Sequence, residues 1–244
     1  MDVTMIDPEQ VDHEIDSHGY VLIKEPGVEQ ACLAARREYE SCLQAAMLHP
    51  PRQRFDYKSL AQGPWRKLAI GSSNGAGDAF AQLLQSTYFA IDDNNYPQLN
   101  ALFRLITAIR NRLMRVDQSF GDAPERDGFW NACRVHHYPR GGGFMTKHKD
   151  ASFSQLLGAR LGKPYYQVGI LLSRKNIDFF DGGGFVITNR NEKIDLEIQG
   201  GFGSIVIFDG RVDHGVDDID LDQVLDFSKP DGRLAAFANL YRVM

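Results

Sequence analysis

The sequence predicts an antiparallel double-sheet jelly roll braced by N-terminal helices, and three observations carry that prediction. Helical periods dominate the first half of the chain, short β-rich runs replace them after about residue 128, and clusters of glycine separate those runs. Many short strands following a helical half are the pattern of two packed sheets with helices laid on the outer face.

Taken in order, Gly19-Tyr-Val-Leu-Ile-Lys24 reads as a short buried strand closed by the Pro26-Gly27 turn. Val28 to Leu48 is rich in helix formers, with Leu33, Arg37, Glu40, Leu43 and Met47 recurring every three or four positions, so its stripe is expected to pack on a sheet. Residues 49 to 77 are broken by Pro50, Pro51, Pro64 and Gly71-Ser-Ser-Asn-Gly-Ala-Gly77, and read as loops around one strand from Trp65 to Ile70, an expected cover for a site. The Gly75-x-Gly77 pair lacks the third glycine and the lysine of a phosphate loop and reads as a plain turn. Pro97 to Val116 is a second helix, with Leu102, Ile106, Ile109, Leu113 and Val116 on one face. Its Arg104, Arg110, Arg112 and Arg115 read as a solvated face. Strands are expected at Asn131 to Tyr138, Tyr165 to Ser173, Gly184 to Thr188, Ile194 to Ile198, Ser204 to Phe208 and Leu234 to Tyr241. The expected organisation is one domain, 1–244, with 1–127 as helical annex and cover and 128–244 as the jelly-roll core.

Composition narrows the function. The chain has 244 residues, 43% of them hydrophobic, enough to bury a large core. Its 32 acidic residues outnumber 27 basic ones, giving a formal charge of -5 with no long basic run, so nucleic acid is not expected as a partner. Cys32, Cys42 and Cys133 form no C-x-x-C pair, which argues against a disulfide framework or a thiolate zinc site and fits a reducing cytoplasm. No activating pattern accompanies any of the three, so no catalytic cysteine is assigned. Met1 to Gln10 carries no apolar core of a leader, and no later stretch approaches the roughly 18 apolar residues that span a bilayer. A cytoplasmic chain acting on a small molecule is the expectation, with oligomeric state left open.

The sharpest chemical feature is His148-Lys149-Asp150, because residues two apart on an extended strand project to one face and can reach one metal. His214 follows in Phe208-Asp-Gly-Arg-Val-Asp-His-Gly-Val216, where a strand runs into a glycine-flanked turn, and could supply a third ligand. Two imidazoles and one carboxylate on one face of an octahedral ion form the facial triad of non-haem Fe(II), which leaves three positions for a chelating 2-oxo acid and O2. A closed structural zinc site has no such room. Glycine-rich turns lie next to this constellation: Tyr138-Pro-Arg-Gly-Gly-Gly-Phe-Met-Thr-Lys-His148 before the ligand strand and Phe180-Asp-Gly-Gly-Gly-Phe185 in the middle of the β region. Arg233 opens the last apolar run, and its planar fork suits the distal carboxylate of a dicarboxylate; a surface arginine after the Pro230-Asp-Gly232 turn is the competing reading.

The order Y-P-x-G-G-G-F-x-x-H-x-D, a G-G-G-F turn, G-S-I-V-I-F-D-G-R-V-D-H and R-L-A-A-F, spanning roughly residues 131 to 243, resembles the prolyl-hydroxylase-like branch of the 2-oxoglutarate/Fe(II) oxygenase superfamily. That resemblance implies a double-stranded β-helix of cupin-like type, with iron on His148, Asp150 and His214, and the C5 carboxylate of 2-oxoglutarate on Arg233. Tyr138 matches a tyrosine that lines the co-substrate or substrate pocket. The arginine stands 19 positions beyond His214, further than in such relatives, which implies an inserted loop over Asp217 to Lys229. The chain also looks similar to small amino-acid radical halogenases, which have Gly or Ala where Asp150 stands; the carboxylate argues for hydroxylation.

Other candidates are weaker in kind. His136 and His137 point to opposite faces of a strand, and His136 shares its two-residue period with Arg134 and Tyr138, so His136 and Arg134 are candidate substrate residues. Arg211 is a third, and Asp213, Asn131 and Asn239 are possible pocket liners. His13, His18 and His49 read as exposed, and Trp65 with Arg66 could close over a polar substrate, although a buried tryptophan is the plainer reading. The resemblance implies hydroxylation of a small polar metabolite such as a free amino acid, with release of succinate and CO2. A hydroxylase of a peptide or protein side chain, and a cupin-like metal enzyme of non-oxidative chemistry, stand as alternatives.

Overall fold

The computed structural model of the chain describes residues 3, 6–49, 56–72, 80–150, 162 and 165–243. The expected Gly75-x-Gly77 turn, the Pro50 and Pro51 breaks and most of the first five residues lie outside these. Three helices stand out: α1 (Pro8–His18), α2 (Pro26–Cys42) and α3 (Pro97–Leu113). Among the described residues, twelve strands run in chain order as β1 (Tyr20–Ile23), β2 (Met47–Leu48), β3 (Trp65–Ser72), β4 (Ala81–Phe89), β5 (Phe129–Pro139), β6 (Gly143–His148), β7 (Tyr166–Leu171), β8 (Gly183–Ile187), β9 (Lys193–Asp195), β10 (Ile205–Asp209), β11 (His214–Ile219) and β12 (Gly232–Arg242).

Helix α1 is a correction to the sequence reading, which has none here. Asp7 caps it, accepting from the Glu9 amide at 3.0 Å, Pro8 begins it and Gly19 ends it at φ +88°, but its apolar face is only Val11 and Ile15, too thin a stripe to read. Helix α2 buries Val28, Cys32, Ala35, Tyr39 and Cys42, whereas Arg37 of the expected stripe is exposed. The helix also stops at Cys42, and Met47–Leu48 instead pairs in parallel with Trp65 and Arg66. Helix α3 follows expectation up to Leu113, burying Leu102, Ile106, Ile109 and Leu113 against β7 and β12, but it ends there and Val116 lies beyond it. Arg110, expected on a solvated face, is fully buried and donates to Ala238 O (2.5 Å), Asn111 Oδ1 (2.7 Å from Nη2) and Asn131 Oδ1 (2.8 Å). A buried guanidinium needs such acceptors.

The strands follow one hydrogen-bonded path, β1-β10-β7-β12-β5-β4-β6-β11-β8-β9, curled into a half-barrel, with β3 and β2 carried on β4. The expected two layers are joined because β4 pairs with β5 through Gln85–Phe89 and with β6 through Gln82 and Leu83. Strand β4 is not among the strands expected from the sequence. The expected strand Ile194 to Ile198 is half helical: β9 ends at Asp195, which caps the turn Leu196–Gln199 by accepting from Ile198 N at 2.9 Å. Alternation along β5 sorts the two faces. Cys133, Val135 and His137 meet the helices, while Arg134, His136 and Tyr138 line the concave side.

Candidate metal centre

Strands β6 and β11 are antiparallel neighbours with His148 and His214 directly opposite each other, their ring centroids 4.3 Å apart. Asp150 lies just past the end of β6 and brings its carboxylate back to both: Oδ1 is 3.7 Å from His148 Nε2 and Oδ2 is 3.5 Å from His214 Nε2. One ligand atom from each residue lies within 4.8 Å of the others. Each imidazole is set in its tautomer by its own backbone, His148 Nδ1 donating to Thr146 O and His214 Nδ1 to Val212 O, both at 2.9 Å, which leaves both Nε2 lone pairs free. Burial, followed by the charge of His214, holds His148 below the ordinary histidine range, favouring the neutral ligand form. Burial alone would raise the Asp150 carboxyl, but the two histidines and Gln167 outweigh it and hold Asp150 far below the usual carboxylate range. The amide of Gln167 donates to Asp150 Oδ2 at 2.6 Å. An octahedral ion with bonds near 2.1 Å separates facial ligands by about 3 Å. Donor type and spacing therefore fit Fe(II), with a small inward movement on binding.

Arg233, the second residue of β12, stands opposite Tyr138 with its guanidinium 5.4 Å from that ring, and is 4% exposed. Its Nε donates to Glu197 Oε1 at 2.6 Å, while Glu197 Oε2 accepts from the Gly184 amide at 2.7 Å. The Phe180 to Phe185 glycines make this possible. Gly182 and Gly183 take φ of +79° and +133°, and a Cβ on Gly184 would lie 2.3 Å from Arg233 Nη2. The expected insertion is shorter than predicted, because β11 continues to Ile219. Asp220 anchors the segment beyond β11, its carboxylate accepting from Phe180 N (2.9 Å), Asp181 N (2.7 Å) and Arg140 Nε (2.6 Å).

One layer away, Arg134 Nε donates to His136 Nε2 at 2.6 Å, and His136 Nδ1 bonds Ser86 Oγ at 3.1 Å. Burial first, then the charges of Arg134 and Arg233, holds His136 well below the ordinary range, so it is a neutral acceptor. Asn239 donates to Gln167 Oε1 at 3.0 Å and so joins the network that ends on Asp150.

Several expected residues are not brought in. Arg211 has a side chain 69% exposed and is paired with Asp209 two positions back, a consequence of the tight turn it occupies. Asn131 faces the helices, where it holds Arg110 and Asp122. Asp213 lies 3.9 Å from Lys149, at the rim. His49, expected to be exposed, is buried edge-on against Trp65, and Trp65 Nε1 is spent on Ser59 O at 2.8 Å. The three thiols are buried and pushed up to about 12 by that burial. Glu197 and Gln167 are the residues that sequence reasoning missed. Gln167 had a signal, a lone amide inside the apolar run Tyr165 to Leu172; Glu197 had none, since strand alternation through Ile194, Leu196 and Ile198 points it outward.

The fold and centre together define a class: a curled antiparallel jelly roll whose facing strands deliver two imidazoles and a carboxylate to one point. No protein-family profile matches the chain, and no curated protein is similar to it. Solved structures are similar. A prolyl hydroxylase from Trichoplax adhaerens, in complex with a peptide fragment of the hypoxia inducible factor oxygen degradation domain, is 13% identical with a TM-score of 0.54, over 95% of this chain and 88% of that one. A Pseudomonas putida prolyl-4-hydroxylase is 13% identical with a TM-score of 0.53, over 98% and 100%. At that identity the likeness is one of fold, and it is the fold of the branch that the motif order resembles. Among the described residues no helix is long and apolar enough to cross a membrane.

Proposed function

We propose that the chain is an Fe(II)- and 2-oxoglutarate-dependent oxygenase that hydroxylates a C–H bond of a small polar metabolite such as a free amino acid. The observation that carries this reading is the convergence of His148, Asp150 and His214 at a centre that shares one concave face with Arg233. His148, Asp150 and His214 would hold Fe(II), and Arg233 over Tyr138 would take the distal carboxylate of 2-oxoglutarate. When bound, Fe(II), 2-oxoglutarate and O2 together supply the oxidising power, the oxo acid leaving as succinate and CO2 while one oxygen atom enters the substrate C–H bond.

The chain's own part is orientation. Carbonyl acceptors keep the Nδ1 protons of both histidines away from the metal side. Gln167 fixes the rotation of Asp150, and Glu197 occupies the Nε edge of Arg233 so that the two terminal nitrogens remain for an anion. Leu171, Val186, Val206 and Phe208 form an apolar wall on one side of the centre, with the Phe208 ring 4.7 Å from that of His214.

The test is anaerobic titration of the metal-free protein with Fe(II) and 2-oxoglutarate. A weak visible charge-transfer band should develop, and admitting air should release succinate. Asp150→Ala should abolish the band and weaken Fe(II) binding by more than the roughly 10- to 100-fold typical of losing an outer partner. No band in the wild type, with Asp150→Ala binding metal normally, would leave the oxygenase reading without support.

A further inference from the structure

The concave face carries a second buried arginine for which the chemistry of the metal centre has no use. Arg134 is 8% exposed and its Nε is spent on His136, but Nη1 has no hydrogen-bond partner among the described residues. Its guanidinium carbon stands 5.6 Å from the Tyr241 ring, 5.9 Å from Phe237 and 6.0 Å from Tyr88, a box of aromatic faces that fixes where the fork points. Phe237 and Tyr241 flank Asn239 on the same face of β12, and Asn239 Oδ1 is likewise buried without a partner. One nitrogen of a buried cation and one buried acceptor oxygen, neither with a partner among the described residues, lie on one face at diagonal positions, Arg134 pairing with Phe237 and Asn239 standing two residues beyond it. Each costs free energy unless a guest completes it.

We propose that Arg134 and Asn239 form the recognition site for the α-carboxylate and α-ammonium of a free amino acid. This deepens the reading given under Proposed function and rests on it. Charge supports a zwitterion over a net anion or cation. A divalent ion together with Arg134 and Arg233 brings four positive charges, which Asp150, Glu197 and a 2-oxoglutarate dianion balance, so the remaining guest is neutral overall yet gives Arg134 a carboxylate. Position agrees. Arg134 and Tyr138 are four residues apart on β5, roughly 13 Å along the strand, so the two arginines address opposite ends of the concave face. The link Asn239–Gln167–Asp150 places the amino-acid end next to the carboxylate ligand, where the side chain of the guest can reach the metal.

The test is calorimetric titration with the twenty L-amino acids, run in parallel on the metal-free protein and on protein loaded with Mn(II) and 2-oxoglutarate. At least one should bind, and its primary amide and its des-amino acid should each bind at least 10-fold more weakly. Arg134→Leu should lose the amino acid while still giving a thermal shift with Mn(II) and 2-oxoglutarate, which shows that it folds. Asn239→Leu should lose discrimination against the des-amino acid only. The ligand series on the wild type decides the matter even if both variants misfold. No amino acid binding in either state, or an amide that binds as well as its acid, overturns the proposal. An amino acid that binds as described without stimulating succinate release leaves this site standing and removes the oxygenase reading.

Discussion

Replacing Gly184 by alanine isolates the link between the glycine turn and the arginine it faces. A Cβ at that position would meet Arg233 Nη2 at 2.3 Å, Cζ at 2.8 Å and Nε at 3.0 Å. Ordinary contact is about 3.5 Å, so the guanidinium has to move by roughly 1 Å. An exposed arginine would swing aside at little cost. Arg233 is 4% exposed, tied through Nε to Glu197 and stacked on Tyr138, and Glu197 is itself tied to the amide of the substituted residue. The fold should lose about 1–3 kcal/mol, the usual cost of overpacking. Misdirecting a charge-assisted pair costs about 1.5–3 kcal/mol, so 2-oxoglutarate should bind roughly 10- to 100-fold more weakly. Fe(II) affinity should stay within a few-fold, because the ligands come from β6, β11 and the segment after β6. The assay is anaerobic titration of Fe(II)-loaded protein with 2-oxoglutarate, following the chelate band, beside a separate Fe(II) titration. A folded Gly184→Ala protein with wild-type affinity for 2-oxoglutarate would refute the assignment of Arg233.

Glu197→Gln keeps one acceptor oxygen for either Arg233 Nε or the Gly184 amide, turns an NH2 toward the other donor, and removes the negative charge. The protein should lose about 3 kcal/mol of stability, seen by chemical denaturation, while 2-oxoglutarate binds roughly tenfold more tightly because it becomes the sole counter-charge of Arg233; weaker binding would contradict this. Gln167→Leu removes the hydrogen bond that orients Asp150 and should weaken Fe(II) roughly 10- to 100-fold, read by metal titration, and an unchanged affinity would deny Gln167 that role. Burial depresses His137 to about 4 against an ordinary 6.5, so the unfolded chain takes up the proton first as the pH falls. The stability it protects is complete above pH 6.5 and is lost between 6.5 and 4, about 3 kcal/mol in all. Denaturation midpoints of His137→Gln across that window should show a pH slope shallower by about one proton, and parallel slopes would count against it.

Legibility of the fold followed the strength of periodic signals. Helix α3 and the strands β5, β7, β10 and β12 repeat clearly because one side of each meets a continuous core. Helix α2 misled because its buried side is Val28, Cys32, Ala35, Tyr39 and Cys42, while Leu33 and Arg37 of the expected stripe lie off that side, Leu33 half out and Arg37 exposed. Strand β4 was missed altogether. Its core-facing positions include Gln85 and Thr87, both fully buried, and Gln85 is accommodated only because His137 Nδ1 (2.7 Å) and Phe227 O (3.1 Å) receive its amide. Those partners are 52 and 142 residues away, and no local window contains them.

The site divides along the same line. His148 and Asp150 could be paired from sequence because both lie in one short segment, and Arg233 from its place at the head of an apolar run. What joins them is register: β11 lies against β6 so that His214 meets His148, and β12 against β5 so that Arg233 meets Tyr138. A slip of one residue in either pairing would turn the functional side chain to the opposite face. The glycine turns at 141–143 and 182–184 therefore do more than admit a nearby ligand. Gly143 has no room for a Cβ, which would lie 2.6 Å from the Pro139 backbone, so the chain turns tightly from β5 into β6 on the two sides of β4. The same glycines that were legible as flexible spacers before the ligand strand are, in the folded chain, among the residues that hold two imidazoles and a carboxylate at one point.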